Sequence, residues 1–532
     1  MADSSNQFKR SLNLLDITLL GIGSIIGSGW LFGAMKGAQY AGSLAWVAWL
    51  FGAVAIILIG LVYAELASAM PRAGGFIRYP QYTHGSMAGW FIAFSALLAY
   101  SSTAGVETDA LREYASGWWP ALGTAHDPSF LGILVQIALL VVFFLINYWS
   151  VNFFGKVNTV VTIFKFIVPG LIIVLLLTHM HVSNFSAGGA DPGGIHGIMA
   201  AVTGAGIIFA YTGFRQAVDF GAESKNPQRN IPLGIILSIG ISAIIYLALQ
   251  FAFIGAIPSQ LLNGGWSHIS FDQPYANIAK LLGIFWLSNL VFVDAVVSPS
   301  GTGNIYMSGT ARILFAWAKK GIFYTLFAKV DRRTGIPRGA LWLSLILSIV
   351  WLLPPKNQLW SVLVSASGSA SVMTYMVAPV SVASLRKTLP DMKRPFHLKA
   401  SAHIIAPLSF VAASWIIYWS GWGTVSLLVG LILGSLILYF AFMDKGKKWH
   451  ERLKTDSKAG IWLIVYYIFI LVMSRLGSFG PDGSTAVIPS PWDSVVVAVL
   501  SLFFYYWGVY SALNKPQIDT DEEDDEMEQI EA

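Results

Sequence analysis

Two glycine clusters inside apolar stretches give this chain its clearest means of binding a small polar molecule. They are residues 21–33, GIGSIIGSGWLFG, and residues 204–214, GAGIIFAYTGF. A helix in hydrocarbon must satisfy its own backbone, so a break is tolerated only where it faces protein or a water-filled cavity. A break exposes N–H groups that favour a carboxylate and carbonyls that favour an ammonium group. We therefore expect a site for the head group of an α-amino acid; close helix packing through small residues is the alternative.

Three charged residues also fall within apolar segments, where an unpaired charge costs on the order of 3 kcal/mol. Lys165 is expected near the middle of its segment, too deep for its side chain to reach water, so it either pairs with a carboxylate or carries a proton. Arg215 directly follows the second glycine cluster. It either recognises a side-chain carboxylate of the substrate or pairs with Asp219, one turn further on. Asp294 could pair with a cation, relay protons or lie near water.

The composition indicates a membrane protein. Of the 532 residues, 55% are hydrophobic and only 11% are charged, whereas about a quarter of the residues in a soluble domain are charged. Apolar runs near twenty residues recur throughout, long enough to cross ~30 Å of hydrocarbon. A soluble enzyme, a nucleic-acid-binding protein and a disordered scaffold are therefore excluded. The absence of cysteine removes thiol metal sites and disulfides, and the scattered histidines predict no metal site.

The apolar segments predict an all-α polytopic membrane protein with about fourteen transmembrane helices. An even number places both termini on one side of the membrane. If that side is the cytoplasm, the predicted inner segments hold 26 of the 33 Lys and Arg residues, as the positive-inside rule requires. We therefore expect a multi-pass protein of the plasma or inner membrane with cytoplasmic termini. The expected spans are 16–40, 42–70, 84–105, 130–148, 156–179, 196–218, 231–256, 278–312, 338–353, 358–385, 402–419, 423–442, 460–477 and 493–513.

The glycine clusters open the first and the sixth predicted spans, so each begins a unit of five helices. Because five is odd, the second unit must run through the membrane in the opposite direction, as in transporters built from inverted repeats. The expected organisation, in chain order, is a cytoplasmic N-terminal segment (1–15), a ten-helix transport core (16–385) of two repeats (16–179 and 196–385), four additional helices (402–513) and an acidic disordered cytoplasmic tail (514–532).

Five motifs occur in order along most of the chain. They are GSGWLF (27–32), YAELASAMPRAGG (63–75), FAYTGF (209–214), ESKNPQRNIP (223–232) and SGTARILFAW (308–317). Together they resemble the amino acid–polyamine–organocation (APC) superfamily of permeases, which share the inverted-repeat leucine-transporter fold with discontinuous first and sixth helices. The chain most resembles bacterial proton-coupled permeases, and its sixth span is similar to those of aspartate:proton symporters. Arg215 departs from the family pattern, which often has an acidic residue there.

The resemblance implies roles for individual residues. Amides around Gly27, Ser28 and Gly29 would receive the substrate carboxylate. Lys165 would stand where sodium-driven relatives hold a sodium ion, which implies proton coupling. Carbonyls that would receive the amino group are those of Ile25, Phe209, Ala210 and Thr212. Possible gate residues are Trp30, Tyr211, Phe214 and Asp219, together with the cytoplasmic pairs Glu65–Arg72 and Glu223–Arg229.

The combined expectation is a secondary active transporter, not an enzyme. It would take up an amino acid, with aspartate or glutamate favoured, by proton symport with alternating access. One convincing proton site favours one proton per substrate. An amino acid exchanger or a proton-coupled permease for neutral amino acids is the alternative, and a channel, an intramembrane enzyme or a signalling protein is a distant one. The expected partners are an amino acid and the lipid bilayer, with no nucleic acid and no cofactor besides protons, and the oligomeric state is left open.

Overall fold

The computed structural model describes residues 12–71, 75–124, 127–149, 151–187, 193–219, 224–319, 323–331, 336–353, 359–442 and 449–518. Within these ranges the regular secondary structure is helical. The α-helices are α1 (Leu14–Ile25), α2 (Gly29–Ala41), α3 (Ala45–Ala69), α4 (Gly75–Ala115), α5 (Phe130–Trp149), α6 (Val151–Leu177), α7 (Gly194–Gly204), α8 (Ile207–Tyr211), α9 (Gln216–Asp219), α10 (Pro227–Ala256), α11 (Pro274–Leu281), α12 (Phe285–Lys319), α13 (Arg338–Val350), α14 (Leu359–Tyr375), α15 (Val377–Thr388), α16 (Ala402–Trp419), α17 (Gly421–Gly434), α18 (Leu436–Phe442), α19 (Trp449–Leu476) and α20 (Trp492–Ser511).

The helices confirm a polytopic membrane protein. In the described part of the chain, nine helices are long and apolar enough to cross a membrane, and a bent pair, Gly194–Gly204 with Ile207–Asp219, makes up to ten. Every predicted span overlaps at least one helix. Most of the predicted N-terminal segment and the acidic residues of the tail, from 519 onwards, lie outside the described residues.

The third predicted span, 84–105, lies within a longer helix, because α4 runs from Gly75 to Ala115. We expected the charged residues after position 105 to lie beyond the membrane. Instead they are buried in the helix, where Arg112 pairs with Asp109 at 3.0 Å. Gln136 of α5 donates a second hydrogen bond to Asp109 at 2.5 Å. Charges that satisfy one another inside the protein do not end a helix, so Glu107 also belongs to the buried part of α4.

A break near the start of α4 is held by the last two helices. Gly85 has φ +79°, a conformation that favours glycine. The amide of Ser86 donates to Oδ2 of Asp456 in α19 at 2.9 Å. On the other side of the break, the carbonyl of Thr83 accepts a hydrogen bond at 2.8 Å from the amide of Leu513, just after α20. Helices α19 and α20 therefore complete the backbone hydrogen bonding of α4 at this break.

The two glycine clusters meet at the centre of the molecule. Gly29 lies against Ala210, and Gly213 lies against the backbone of Ser24 and the following residue. A Cβ atom at Gly213 would overlap that backbone, so only glycine allows the two chain segments to approach so closely. The sequence-predicted breaks are thus packed against each other.

Candidate functional site

The first break separates α1 from α2 between Ile25 and Gly29. The amide of Ser28 donates a 2.9 Å hydrogen bond to Oε2 of Glu107 in α4. The carboxylate also covers Gly27, where a Cβ atom would overlap Oε1 of Glu107. A carboxylate therefore occupies the position predicted for the substrate carboxylate, but it belongs to the protein itself. Oε1 of Glu107 has no hydrogen-bond partner among the described residues.

The second break separates α7 from α8 and bends the chain by 50°. Gly206, with φ +77°, supplies the left-handed conformation that starts α8. A short 3₁₀ turn, Thr212–Arg215, then leads into α9. The carbonyl of Phe209 accepts from the hydroxyl of Thr212 at 2.9 Å, and the carbonyl of Thr212 accepts from the hydroxyl of Tyr375 at 2.7 Å. The exposed carbonyls of this break are therefore satisfied by side-chain hydroxyls.

One hydroxyl group connects the two breaks. The hydroxyl of Tyr246 in α10 donates towards the carbonyl oxygen of Ile25 at 3.0 Å and towards that of Ala210 at 3.2 Å. Both carbonyls were predicted to receive the substrate's amino group. A tyrosine hydroxyl has one proton to share between them, whereas an ammonium group has three. The geometry therefore presents two neighbouring acceptors that an ammonium group would satisfy better than Tyr246 does.

Lys165 lies beside the first break and is fully buried. Its Nζ donates to the carbonyl of Gly23 at 2.5 Å and to the hydroxyl of Thr302 at 2.7 Å. It thereby ties α6 to the end of α1 and to α12, and a cation suits the carbonyl end of a helix. Lys165 also interacts electrostatically with Glu107 and Asp294. Neither carboxylate forms a direct ion pair with it, so the amine is held by neutral oxygens.

Arg215 lies on the other side of the second break, also buried. Its guanidinium carbon is 3.6 Å from the centre of the Tyr100 ring. Among the residues that the structure describes, Nε and Nη2 of Arg215 have no hydrogen-bond partner. Asp219 accepts from the hydroxyl of Tyr100 at 2.7 Å and makes no direct ion pair with Arg215 in this part of the chain. The guanidinium therefore has N–H groups free for an acidic ligand.

Aromatic residues close the space around the breaks. The predicted gate residues Trp30, Tyr211 and Phe214 are all buried, as are the residues of both breaks, so the conformation is closed to solvent. The ring centroids of three pairs lie 5.2–5.7 Å apart: Trp30 with Tyr275, Tyr211 with Trp49, and Phe214 with Tyr375.

Charged residues add a contact at the predicted cytoplasmic end. Glu65 of α3 accepts two hydrogen bonds from Arg386 of α15, at 2.8 and 2.6 Å, and lies 3.6 Å from Arg394. The expected partner of Glu65, Arg72, lies outside the described residues. So does Glu223, while Arg229 is exposed at the start of α10. Both predicted pairs therefore stay predictions.

Sequence reasoning did not single out Glu107, Tyr246 and Tyr100. Glu107 carried a usable signal, since residues 107, 109, 112 and 113 continue an apolar helix with charges. The two tyrosines carried none, because tyrosine is frequent throughout the chain. Within the described ranges, no group of three or more His, Cys, Asp or Glu side chains is arranged to hold a metal ion.

Known proteins similar to this chain are transporters. A family model described as amino acid permease matches residues 12–444. The aspartate-proton symporter of Bacillus subtilis (strain 168) is 44% identical over 518 residues, which cover 97% of this chain and 99% of the relative. The glutamate/serine transporter AimA of the same organism is 38% identical, over 95% of this chain and 94% of the relative. The branched-chain amino acid permease BcaP, also from that organism, is 27% identical over 83% of this chain and 95% of the relative.

Proposed function

Because the chain belongs to the amino acid permease family, whose members are transporters rather than enzymes, we propose that it takes up an acidic amino acid by proton symport. The observation that carries the choice of substrate is Arg215. It is a buried guanidinium beside the second break, with Nε and Nη2 free of hydrogen-bond partners among the described residues. The name of the relative at 44% identity, an aspartate-proton symporter, supports the same substrate and coupling ion.

We further propose the detailed architecture expected from the sequence. The chain would have fourteen spans, the first ten arranged as two inverted repeats of five, and both termini in the cytoplasm. The breaks between α1 and α2 and between α7 and α8 support this arrangement, since each begins a unit of the predicted repeat. The four additional helices would flank the core, where α19 and α20 hold the break in α4.

Substrate binding exchanges the protein's own groups for those of the amino acid. The α-carboxylate replaces Glu107 at the amide of Ser28 and uses the neighbouring amides of Gly29 and of Gly27, whose N–H donates to the carbonyl of Ile25 at 3.0 Å before the substrate binds. The ammonium group replaces the hydroxyl of Tyr246 at the carbonyls of Ile25 and Ala210, and the carbonyls of Phe209 and Thr212 lie in the same break. The ammonium group brings a charged donor where Tyr246 is a neutral one, and the α-carboxylate takes over the place of the Glu107 carboxylate, so the two exchanges together favour a zwitterion.

The side-chain carboxylate of the substrate is recognised by Arg215. Guanidinium N–H groups form paired hydrogen bonds to a carboxylate, worth about 1.5–3 kcal/mol each in a buried site. Stacking on Tyr100 fixes the plane of the guanidinium, so little conformational entropy is lost when the substrate binds. A neutral amino acid would leave those N–H groups unpaired, which disfavours its binding.

Lys165 carries the coupled proton. When protonated it binds the carbonyl of Gly23 and the hydroxyl of Thr302, and when neutral it loses the charge that holds α1 to α6 and α12. Carrying one negative charge inward across 100 mV, inside negative, costs ~2.3 kcal/mol. One proton per aspartate cancels this charge, so the pH gradient alone would drive uptake. Alternating access would then open one side by separating the aromatic pairs or the Glu65–Arg386 contact.

A second candidate is a transporter that also accepts a neutral amino acid. It is favoured by the 38% identical relative, whose name joins glutamate with serine. Exchange of internal for external amino acid is the other open mode. These candidates differ in whether a pH gradient drives net uptake and in whether Arg215 discriminates between substrates.

The test is uptake of labelled aspartate, glutamate, serine and leucine by purified protein in liposomes. We expect an outside-acidic pH gradient to drive net aspartate uptake without internal amino acid, and a potassium diffusion potential to leave the rate within twofold. In Arg215→Ala the uptake of the acidic substrates should fall at least tenfold, whereas the matched control Arg475→Ala, at an exposed arginine, should behave as wild type. Uptake that requires internal amino acid, or wild-type uptake of leucine but not aspartate, would refute the proposal.

A further inference from the structure

Asp294 in α12 is a buried carboxylate that the proposed substrate site does not use. Its side chain is fully buried, and neither carboxylate oxygen has a hydrogen-bond partner among the described residues. Two other buried acids of this region do have donors, since Glu107 accepts from Ser28 and Asp109 from Arg112 and Gln136. A buried carboxylate without donors is costly as an anion and is relieved by taking a proton.

A line of polar groups on α12 leads from Asp294 to Lys165. Asp294, Ser298 and Thr302 are spaced four residues apart, so they lie on one face of the helix, ~6 Å from one to the next. The hydroxyl of Ser298 is buried and has no hydrogen-bond partner within the described ranges. Pro299 has no N–H, so the carbonyl of Ala295 loses its helical donor and adds an acceptor beside the line. At the far end, the hydroxyl of Thr302 accepts from Nζ of Lys165 at 2.7 Å.

The neighbours of Asp294 place it between Lys165 and the predicted outer side. Asp294 is ~13 Å along α12 from the helix start at Phe285, which the predicted topology puts outside. The titratable groups that interact with it electrostatically are Lys165 from α6 and Tyr114 from the outer end of α4.

We propose that Asp294 is the residue that takes the proton from the outer side and passes it to Lys165; this step rests on the proposed proton symport. The neutral carboxylic acid of Asp294 gives up its proton, and the neutral amine of Lys165 becomes an ammonium group. Between them the hydroxyls of Ser298 and Thr302, together with water molecules that enter the ~6 Å gaps, each accept one proton and release another. The carboxylate left at Asp294, which is buried in this closed conformation, takes the next proton from external water when the outer side opens. Atoms and charge balance, and no further reactant is needed.

The test compares two transport modes of Asp294→Asn in liposomes, a change that keeps the side-chain shape and removes the titrating group. Net aspartate uptake driven by an outside-acidic gradient requires the proton step, whereas exchange of labelled external for unlabelled internal aspartate does not. We expect the gradient-driven rate to fall at least tenfold and to lose its dependence on external pH, with exchange within twofold of wild type. The matched control is Asp493→Asn, a buried aspartate of α20 held by Tyr418 and Ser478, which should retain both modes.

Further variants separate this proposal from a structural role and from failure of the proposed function. Asp294→Glu should restore gradient-driven uptake. Ser298→Ala should lower gradient-driven uptake several-fold while leaving exchange unchanged, and this variant tests the proposal on its own if Asp294→Asn does not fold. The proposal is overturned if Asp294→Asn keeps the wild-type rate of gradient-driven uptake, or if a folded Asp294→Asn variant loses both transport modes equally. It is also overturned if Ser298→Ala has no effect. If the wild-type protein itself shows no pH-driven uptake, the proposed symport is what fails.

Discussion

Replacing Glu107 by glutamine is expected to make the protein bind its substrate more tightly while transporting it more slowly. Oε2 of Glu107 holds the amide of Ser28 at 2.9 Å, where the substrate carboxylate is proposed to bind. The glutamine carbonyl can still accept this hydrogen bond, but without the negative charge. Because a weaker competitor is easier to displace, the Kd of the amino acid should fall. Transport should slow, since Lys165 loses a negative neighbour.

The magnitude follows from the type of hydrogen bond. A hydrogen bond to a charged group is worth about 1.5–3 kcal/mol and one between neutral groups about 0.5–1.5 kcal/mol. The midpoints of these two ranges differ by about 1.25 kcal/mol, which corresponds to a roughly eightfold lower Kd. Removal of the like charge beside the incoming carboxylate acts in the same direction, so the expected change is at least tenfold.

The assay is equilibrium binding of labelled aspartate to purified protein, paired with initial uptake rates in liposomes. The matched control is Glu113→Gln, the same chemical change on the same helix at a buried glutamate away from both breaks; its Kd should remain within twofold of wild type. A Kd for Glu107→Gln that is unchanged or higher than that of wild type would show that Glu107 does not compete with the substrate for Ser28.

Three further variants probe the packing that surrounds the site. Gly213→Ala should lower the melting temperature, because a Cβ atom there overlaps the backbone of Ser24 and such overpacking costs about 1–3 kcal/mol. The control Gly240→Ala, whose Cβ atom meets no neighbouring atom, should not lower it. Equal melting temperatures for the two variants would contradict the close approach of the breaks. Asp456→Ala should cost about 1.5–3 kcal/mol of stability through the lost hydrogen bond to Ser86, and an unchanged thermal melt in detergent would refute the role of α19 in holding α4. Glu65→Gln should speed labelling of a cysteine introduced at Ala217 from the cytoplasmic side, since it removes the negative charge from the contact with Arg386. The chain has no native cysteine, and an unchanged labelling rate would remove Glu65 from the gate.

The breaks could be predicted from the sequence because their cause is local. Glycine at positions such as 206 permits a backbone conformation that other residues disfavour, and the hydrophobic runs around the clusters mark the surrounding helices. Family resemblance then indicated which backbone groups would face the substrate. Lys165 lies beside the first break and Arg215 beside the second, and their roles stay predictions.

The partners of these groups could not be predicted, because they come from distant parts of the chain. Ser28 and Glu107 are 79 residues apart, and Ile25 and Tyr246 are 221 residues apart. Glu107 was also hidden by the early end assigned to the third span, since charges normally mark the end of a membrane helix. In α4 those charges are buried in contact with one another, a compensation that appears only once the fold is known.

We propose that the backbone exposed at two interrupted helices binds the head group of an amino acid. A structure of the protein with bound aspartate tests it most directly. We expect the α-carboxylate at the amides of residues 27–29, with Glu107 displaced from Ser28, and the ammonium group at the carbonyls of Ile25 and Ala210. Aspartate bound elsewhere, with the Glu107–Ser28 and Tyr246–Ile25 hydrogen bonds intact, would contradict it.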